Sequence, residues 1–404
     1  MDLNQAPAPH LPDAAPNAPL DVDEFLASAV ELLAIPSTED RPGQLRRAVE
    51  FVVEAVGPGF TVEWFESNGK PSALLYAADD GRDGHATPAA PAASRPEFRV
   101  ILNGHLDVVP AEAEQFRPRR EAGRLYARGA QDMKVSALLQ ARVFREVARR
   151  LPYPVAFQLV ADEEVGGRDG TLHQLQQGVT GAFVVIGEHS GLDIVTGTKG
   201  LAQARFLATG RGGHGAYPWL GDNAMVKLVT SVNRLLAGYP TPSEEIRRTT
   251  VNLARIDTPN RAVNRIPDRA EAWLDIRFPA GDGDFSGRSY EQIADHLATF
   301  CEPGVSVLVD DFSPPQHVDQ DRAEVQALRR AARNQGFEGG FLYKHGSSDG
   351  GFYSERAIAA VAFGVGGAGQ HGPDEYLEID TVAPYHRALR EFLTSLPDKS
   401  STAE

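Results

Sequence analysis

Short runs of apolar, β-forming residues alternate with amphipathic segments in both halves of this 404-residue chain. That alternation argues for a layered α/β architecture. Residues 98–103 (FRVILN), 155–161 (VAFQLVA), 182–186 (AFVVI) and 357–363 (AIAAVAF) are apolar at most positions, as strands covered on both faces are. Helical patterns run over 23–33, 44–56, 133–151, 323–334 and 383–396. In the third of these, Val135, Leu138, Leu139 and Val143 fall on one face.

The middle of the chain is patterned differently. Strands over 201–208, 250–255, 270–277 and 305–309, with helices over 223–236 and 290–300, follow the order β-α-β-β-α-β. That is the split arrangement of a ferredoxin-like unit. The expected organisation is therefore a flexible Ala/Pro-rich tail over 1–20, a larger domain made of 21–198 and 311–404, and a smaller α+β domain over 199–310 inserted into it. Residues 79–96 (DDGRDGHATPAAPAASRP) form a low-complexity loop, read as a long hairpin tip between two apolar runs. No internal repeat is evident.

Lys plus Arg number 40 and Asp plus Glu 55, so the formal charge is 40 − 55 = −15. A surface this acidic repels phosphate, which argues against nucleic acid and anionic membrane as partners. The one cysteine, Cys301, excludes an intrachain disulfide and a four-Cys zinc site. No apolar run is long enough to cross a bilayer. The start of the chain has neither a basic opening nor an apolar block, so a cytoplasmic location is expected.

The ends of the strands carry the chemistry. Run 98–103 leads into Gly104-His105-Leu106-Asp107, run 155–161 into Asp162-Glu163-Glu164, and run 182–186 into Gly187-Glu188-His189. Run 357–363 leads through a Gly-rich turn to His371, and Asp132 stands just before a helix. Open α/β sheets bind ligands outside the carboxyl ends of their strands, so His, Asp and Glu converge on one edge. Folding alone does not demand this, and several carboxylates buried together without counter-charge are costly. A cation resolves the conflict, and imidazole with carboxylate oxygen suits Zn²⁺ or a similar first-row metal. Each piece has an ordinary alternative: His105 and Asp107 a surface turn, Asp132 a helix N-cap, Glu163 and Glu164 a solvated acidic loop. Their co-occurrence in this order outweighs those readings.

The motifs NGHLDVVP (103–110), ARGAQDMK (127–134), ADEEVGG (161–167), IGE (186–188), GGHGAYP (212–218), NRIPDRAEAWLDIRF (264–278) and HGPDEYLEI (371–379) resemble those of the M20 metallopeptidases. That family includes acetylornithine deacetylase, succinyl-diaminopimelate desuccinylase, aminoacylase and glutamate carboxypeptidase relatives. The resemblance covers about residues 23–396. It implies a mixed-sheet, zinc-peptidase-like catalytic domain with an inserted ferredoxin-like lid and dimerisation domain. It further implies two Zn²⁺ per subunit (Co²⁺ or Mn²⁺ as substitutes), one held by His105, Asp132 and Glu188, the other by Asp132, Glu164 and His371. Asp107 then fixes the His105 tautomer and Glu163 is the general base. His214 acts on the scissile carbonyl from the partner subunit of a homodimer joined through the lids. Arg277, with Asn264 in the same group, binds a substrate carboxylate; the plainer reading of Arg277 is an ion pair with Asp275. Ser347, Ser348 and Gly350 line the pocket, whereas Lys134 and Arg128 are structural.

Glu188 stands where aminoacylase-like members more often carry Asp, which favours the deacetylase, desuccinylase and carboxypeptidase branches. His189, where many relatives have proline, is a possible extra ligand. The implied reaction is hydrolysis of the amide of a small N-acyl amino acid. Exopeptidase action on a peptide is the nearest alternative, and a serine hydrolase or a catalytically silent homologue are distant ones. Residues 346–350 (GSSDG) match the nucleophile-elbow pattern but lack a clear strand before and helix after. Residues 364–369 (GVGGAG) match a dinucleotide fingerprint but run into Gln-His-Gly-Pro without a helix.

Overall fold

The computed structural model describes residues 19–77, the backbone at 87–88, and residues 95–397. The chain forms two compact units. One contains the chain up to Thr196, Val318–Tyr343 and the chain from Arg356 onward; the other contains Gly197–His317 and Lys344–Glu355. The expected tail at 1–20 and most of the 79–96 loop lie outside the described residues.

A nine-stranded mixed sheet organises the first unit, in the order Phe341–Lys344, Ile194–Thr198, Ala359–Ala362, Phe183–Ile186, Val100–His105, Val155–Val160, Lys70–Tyr76, Thr61–Ser67 and Thr87–Pro88. Four neighbours in the middle, Ala359–Ala362, Phe183–Ile186, Val100–His105 and Val155–Val160, run parallel. Val100–His105 and Val155–Val160 are buried at every position, because layers cover both faces. From Val100–His105 the chain crosses through the helix Lys134–Val147 to Val155–Val160 on one side, and later returns to Phe183–Ile186 on the other. The strand ending in His105 is therefore a topological switch point, where open α/β sheets leave a crevice for ligands.

Helix Lys134–Val147 lies close against this sheet. A Cβ added at Gly104 would come within 2.9 Å of the Ala137 Cβ, so only glycine admits the helix at that distance. Two other helix starts follow local rules. Asp21 caps Val22–Leu33 by accepting from the Glu24 amide at 3.1 Å. The second helix begins at Pro42, two residues before the expected start, with proline in its first turn where no amide partner is lost.

The expected hairpin at 79–96 is corrected by the pairing. Lys70–Tyr76 and Val100–His105 both pair with Val155–Val160, which lies between them, so these two strands do not form a hairpin with each other. The hairpin sits earlier: Thr61–Ser67 and Lys70–Tyr76 are antiparallel around Asn68-Gly69, both with positive φ (45° and 75°). That is the two-residue turn whose twist matches the strands it joins.

The second unit has a four-stranded antiparallel sheet, in the order Thr250–Asp257, Arg269–Phe278, Gly200–Thr209 and Val305–Ser313. In chain order with helices Ala224–Gly238 and Tyr290–Ala298 this is β-α-β-β-α-β. Alternate residues Ala270, Ala272, Leu274, Ile276 and Phe278 are buried with Phe206, Leu228, Leu235, Ile293 and Leu297. The helices thus cover one face of the sheet. Phe278 stacks on Phe285 and Phe312 at 5.5 and 5.6 Å. This unit is wider than the expected 199–310. It continues to His317 and takes in Lys344–Glu355, where Gly350 and Gly351 leave room for Gln316 and Pro314. Among the described residues, no helix is long and apolar enough to cross a membrane.

Candidate metal centre

All four parallel strands contribute to one cluster within the first unit. His105 is the last residue of its strand and is buried. Its Nε2 lies 3.0 Å from Asp132 Oδ1 and 3.3 Å from Glu188 Oε1. Its Nδ1 lies 3.1 Å from the Asp107 carbonyl oxygen and 3.4 Å from Asp107 Oδ1. The other Asp132 oxygen, Oδ2, is 3.4 Å from His371 Nε2, which also meets Glu164 at 3.1 and 3.2 Å. Two ligand sets result, His105–Asp132–Glu188 and Asp132–Glu164–His371, the ligand atoms of each lying within 4.8 Å of one another. Asp132 belongs to both and turns one oxygen toward each.

The electrostatics favour a cation. Asp107, Asp132, Glu164 and Glu188 bring four carboxylates against two imidazoles, an excess of two negative charges even with both imidazoles protonated. Burial pushes the His105 ring toward neutrality, but the carboxylates of Asp107, Asp132 and Glu188 outweigh it and hold the pKa well above its usual value. His371, bonded to Asp132 and Glu164, is raised to about 10. Burial opposes ionisation of Asp132, yet His105 and His371 keep it well below the carboxylate range. Burial raises Glu164. The donor set of imidazole and carboxylate suits zinc-like metals.

The remaining side chains take distinct places. Asp107 Oδ2 accepts the Glu164 amide at 2.9 Å, so this residue braces His105 on one side and the backbone of Glu164 on the other. Glu163 opens the short turn Glu163–Val165 and is partly exposed, as is its neighbour Glu164. His189 Nδ1 lies 3.5 Å from Glu188 Oε2, against a ligand and outside both ligand sets.

His214, Asn264 and Arg277 belong to the second unit. His214 is exposed on the short strand Gly213–His214, which pairs with Arg265–Ile266, and the Gly215 amide donates to the Asn264 carbonyl at 2.6 Å. The structure thus brings His214 and Asn264 together. Arg277 makes a two-point ion pair with Asp275 (2.8 and 3.0 Å), the plainer of its two expected roles. The GSSDG segment has more context than expected, with strand Phe341–Lys344 before it and helix Gly350–Ser354 after. The Ser348 hydroxyl, however, donates to Gln316 Oε1 at 3.2 Å. Residues 364–369 lead into no helix.

Sequence reasoning passed over Glu375. It is buried; its Oε1 accepts the backbone amides of Gln131 and Asp132, and its Oε2 accepts from Arg128 Nη1. Its signal was an acid four residues after a histidine ligand, inside a motif already singled out.

The fold and site define an α/β protein with a candidate two-metal cluster, and comparison with known proteins gives the family. Residues 101–395 match the model for peptidase family M20/M25/M40. A probable carboxypeptidase of Aspergillus clavatus is 30% identical over 325 residues, covering 74% of this chain and 70% of that protein. A succinyl-diaminopimelate desuccinylase of Bordetella pertussis is 27% identical, covering 74% and 83%. The fold matches an M20 family metallo-carboxypeptidase from Sulfolobus solfataricus with a TM-score of 0.73 at 19% identity, over 92% of this chain and 99% of that one. The chain belongs to peptidase family M20/M25/M40 and is a hydrolase acting on carbon–nitrogen bonds.

Proposed function

We propose that this protein is a two-metal amidohydrolase that removes the acyl group from a small N-acyl amino acid. The observation that carries this reading is the pair of ligand sets sharing Asp132. His105, Asp132 and Glu188 would hold one ion, and Asp132, Glu164 and His371 the other. Such a pair, with Zn²⁺ the expected metal, supplies Lewis acidity and a more acidic water.

The chain's own residues do the rest. Glu163, next to Glu164 and outside both ligand sets, takes the proton of the attacking water as the new C–O bond forms. It returns that proton to the amine nitrogen as the amide C–N bond breaks. Asp107 holds the His105 ring and the Glu164 backbone in place. His214 would stabilise the developing oxyanion, acting from the partner subunit of a homodimer joined through the second unit. Asp275 occupies Nε and Nη2 of Arg277, which leaves Nη1 to meet a substrate carboxylate, with Asn264 beside His214.

Carboxypeptidase action is the second reading, favoured by the 30% identity to the Aspergillus protein. The bond broken is the same, and only the groups flanking it differ. Amine release from N-acetyl, N-succinyl and dipeptide substrates, with Zn²⁺-loaded protein, separates the two. Turnover should be abolished by a chelator. It should fall roughly 10²–10⁴-fold in Glu163→Ala with metal content unchanged. Undiminished turnover in that variant would sink the base assignment.

A further inference from the structure

The two histidine ligands are oriented by different means. His105 is buried, and its ring is fixed from behind by Asp107. The side chain of His371 is 48% exposed, and among the described residues only its Nε2 is engaged, by the other ligands. Its backbone is in the left-handed region (φ 60°), which a non-glycine residue adopts only when held there. What positions His371 must therefore act on its main chain.

One buried ion pair does so. Arg128 and Glu375 are 3% and 1% exposed at their side chains and meet at 2.5 Å through Nη1 and Oε2. The other nitrogen of the fork, Nη2, donates to the carbonyls of His371 and Gly372 at 3.0 and 3.1 Å. The other oxygen, Glu375 Oε1, accepts the amides of Gln131 and Asp132 at 3.0 and 3.1 Å. Gln115 adds a bond from Nε2 to the Gly372 carbonyl at 3.0 Å, and its own carbonyl accepts the Arg128 amide at 2.9 Å. The main chains of Asp132 and His371 are thus tied to opposite ends of a single guanidinium–carboxylate pair.

We infer that Arg128 and Glu375 are positioning residues: together they set the separation of Asp132 from His371 and thereby build the second metal set. This rests on the two-metal reading above. The first set leans on the pair only through Asp132, since His105 is held by Asp107 and Glu188 follows a different strand. Disturbing the pair should loosen one ion selectively. Arginine is required because its fork reaches the carboxylate and two carbonyls at once, which the single nitrogen of lysine cannot do. Glutamine at 375 would turn a donor amide toward either Arg128 or the two backbone amides.

The test is a Zn²⁺ titration against a competing chelator, with zinc content after dialysis, on the wild-type protein, Arg128→Lys and Glu375→Gln. Melting temperatures verify folding. Wild type should bind two ions. Each variant should keep one at wild-type affinity and hold the other roughly 10–100-fold more weakly. Two ions held at wild-type affinity in both variants would overturn the proposal, as would equal weakening of both. Loss of folding in both variants would assign the pair to stability alone and also overturn it. A wild-type protein binding fewer than two ions would instead remove the two-metal reading, and this inference with it.

Discussion

Asp132 is the residue on which both ligand sets depend, and its substitution separates shared from private ligands. Asp132→Ala removes an oxygen from each set, whereas Glu164→Ala removes one from the second set only. The expected result is loss of both ions in the first variant and retention of one in the second, read as zinc per chain after dialysis. The clustered residues could be placed from the sequence because His105, Glu164 and Glu188 stand at or just past strand ends, His371 follows a strand through a turn, and Asp132 stands just before a helix. Glu375 and Arg128 could not, since a buried ion pair that acts on backbone amides and carbonyls looks like any charged pair until the main chain is in place. Cys301 stands outside the site. It is half-buried, and burial pushes its thiol up to about 11. Because the thiolate is the reactive form, iodoacetamide should label native protein very slowly at pH 7.5 and faster as the pH approaches 11. Mass spectrometry of native and urea-treated samples checks this.

At the scale of elements, the strands and helices around the site could be read from apolar runs and helical faces, with ends displaced by a few residues. The misplaced hairpin has a specific cause. Asn68-Gly69 is a direct turn signal, whereas strand neighbours that are distant in sequence cannot be inferred from periodicity. The packing of helix Lys134–Val147 on the strand that ends at His105 is equally specific. Gly104→Ala would set a Cβ 2.9 Å from that of Ala137, with backbone behind it. A cost of about 1–3 kcal/mol is expected for such overpacking, visible as a lower urea midpoint with an unchanged slope. The same helix is tied to Val382–Ser395 through Glu146, which accepts from Arg142 Nε at 2.7 Å and bonds His386 Nε2 at 3.0 Å. Burial raises the Glu146 pKa, but His386 and Arg142 outweigh it and leave it below the usual carboxylate value. A depressed folded-state pKa contributes stability that is present above the unfolded-state pKa and is lost as pH falls through the folded one. Glu146→Gln should therefore narrow the difference in melting temperature between pH 7 and pH 3, with the variant and wild type converging at the acid end.

For the whole molecule, the division into a sheet-centred unit and a ferredoxin-like unit was legible because the element order changes at about residue 199. The return of Lys344–Glu355 to the second unit was not, because nothing in that short Gly-rich stretch announces its neighbours. The most exposed reading at this scale concerns His214. It lies in the second unit, on a two-residue strand at the surface, near Tyr217 and the largely exposed Trp219. Side chains of this kind in the open are characteristic of a surface that meets another molecule. If that molecule is a second copy, and His214 serves the partner's metal centre, the two residues of one catalytic act sit on different chains. His214→Ala should then lower kcat by roughly 10²–10³-fold, as loss of an oxyanion donor does, with zinc content unchanged. Glu163→Ala should be inactive for an unrelated reason. Mixing the two inactive proteins under conditions that exchange subunits should restore activity, because each mixed dimer contains one centre with both an intact Glu163 and an intact partner His214. With random exchange of equal amounts, half of the dimers are mixed and each has one working centre, so about a quarter of the wild-type rate is expected. Recovery near that value would establish action between subunits. No recovery from a preparation shown by mass to contain mixed dimers would place His214 at its own chain's centre or outside the reaction, and a protein that sedimented only as a monomer would remove the dimer from the account.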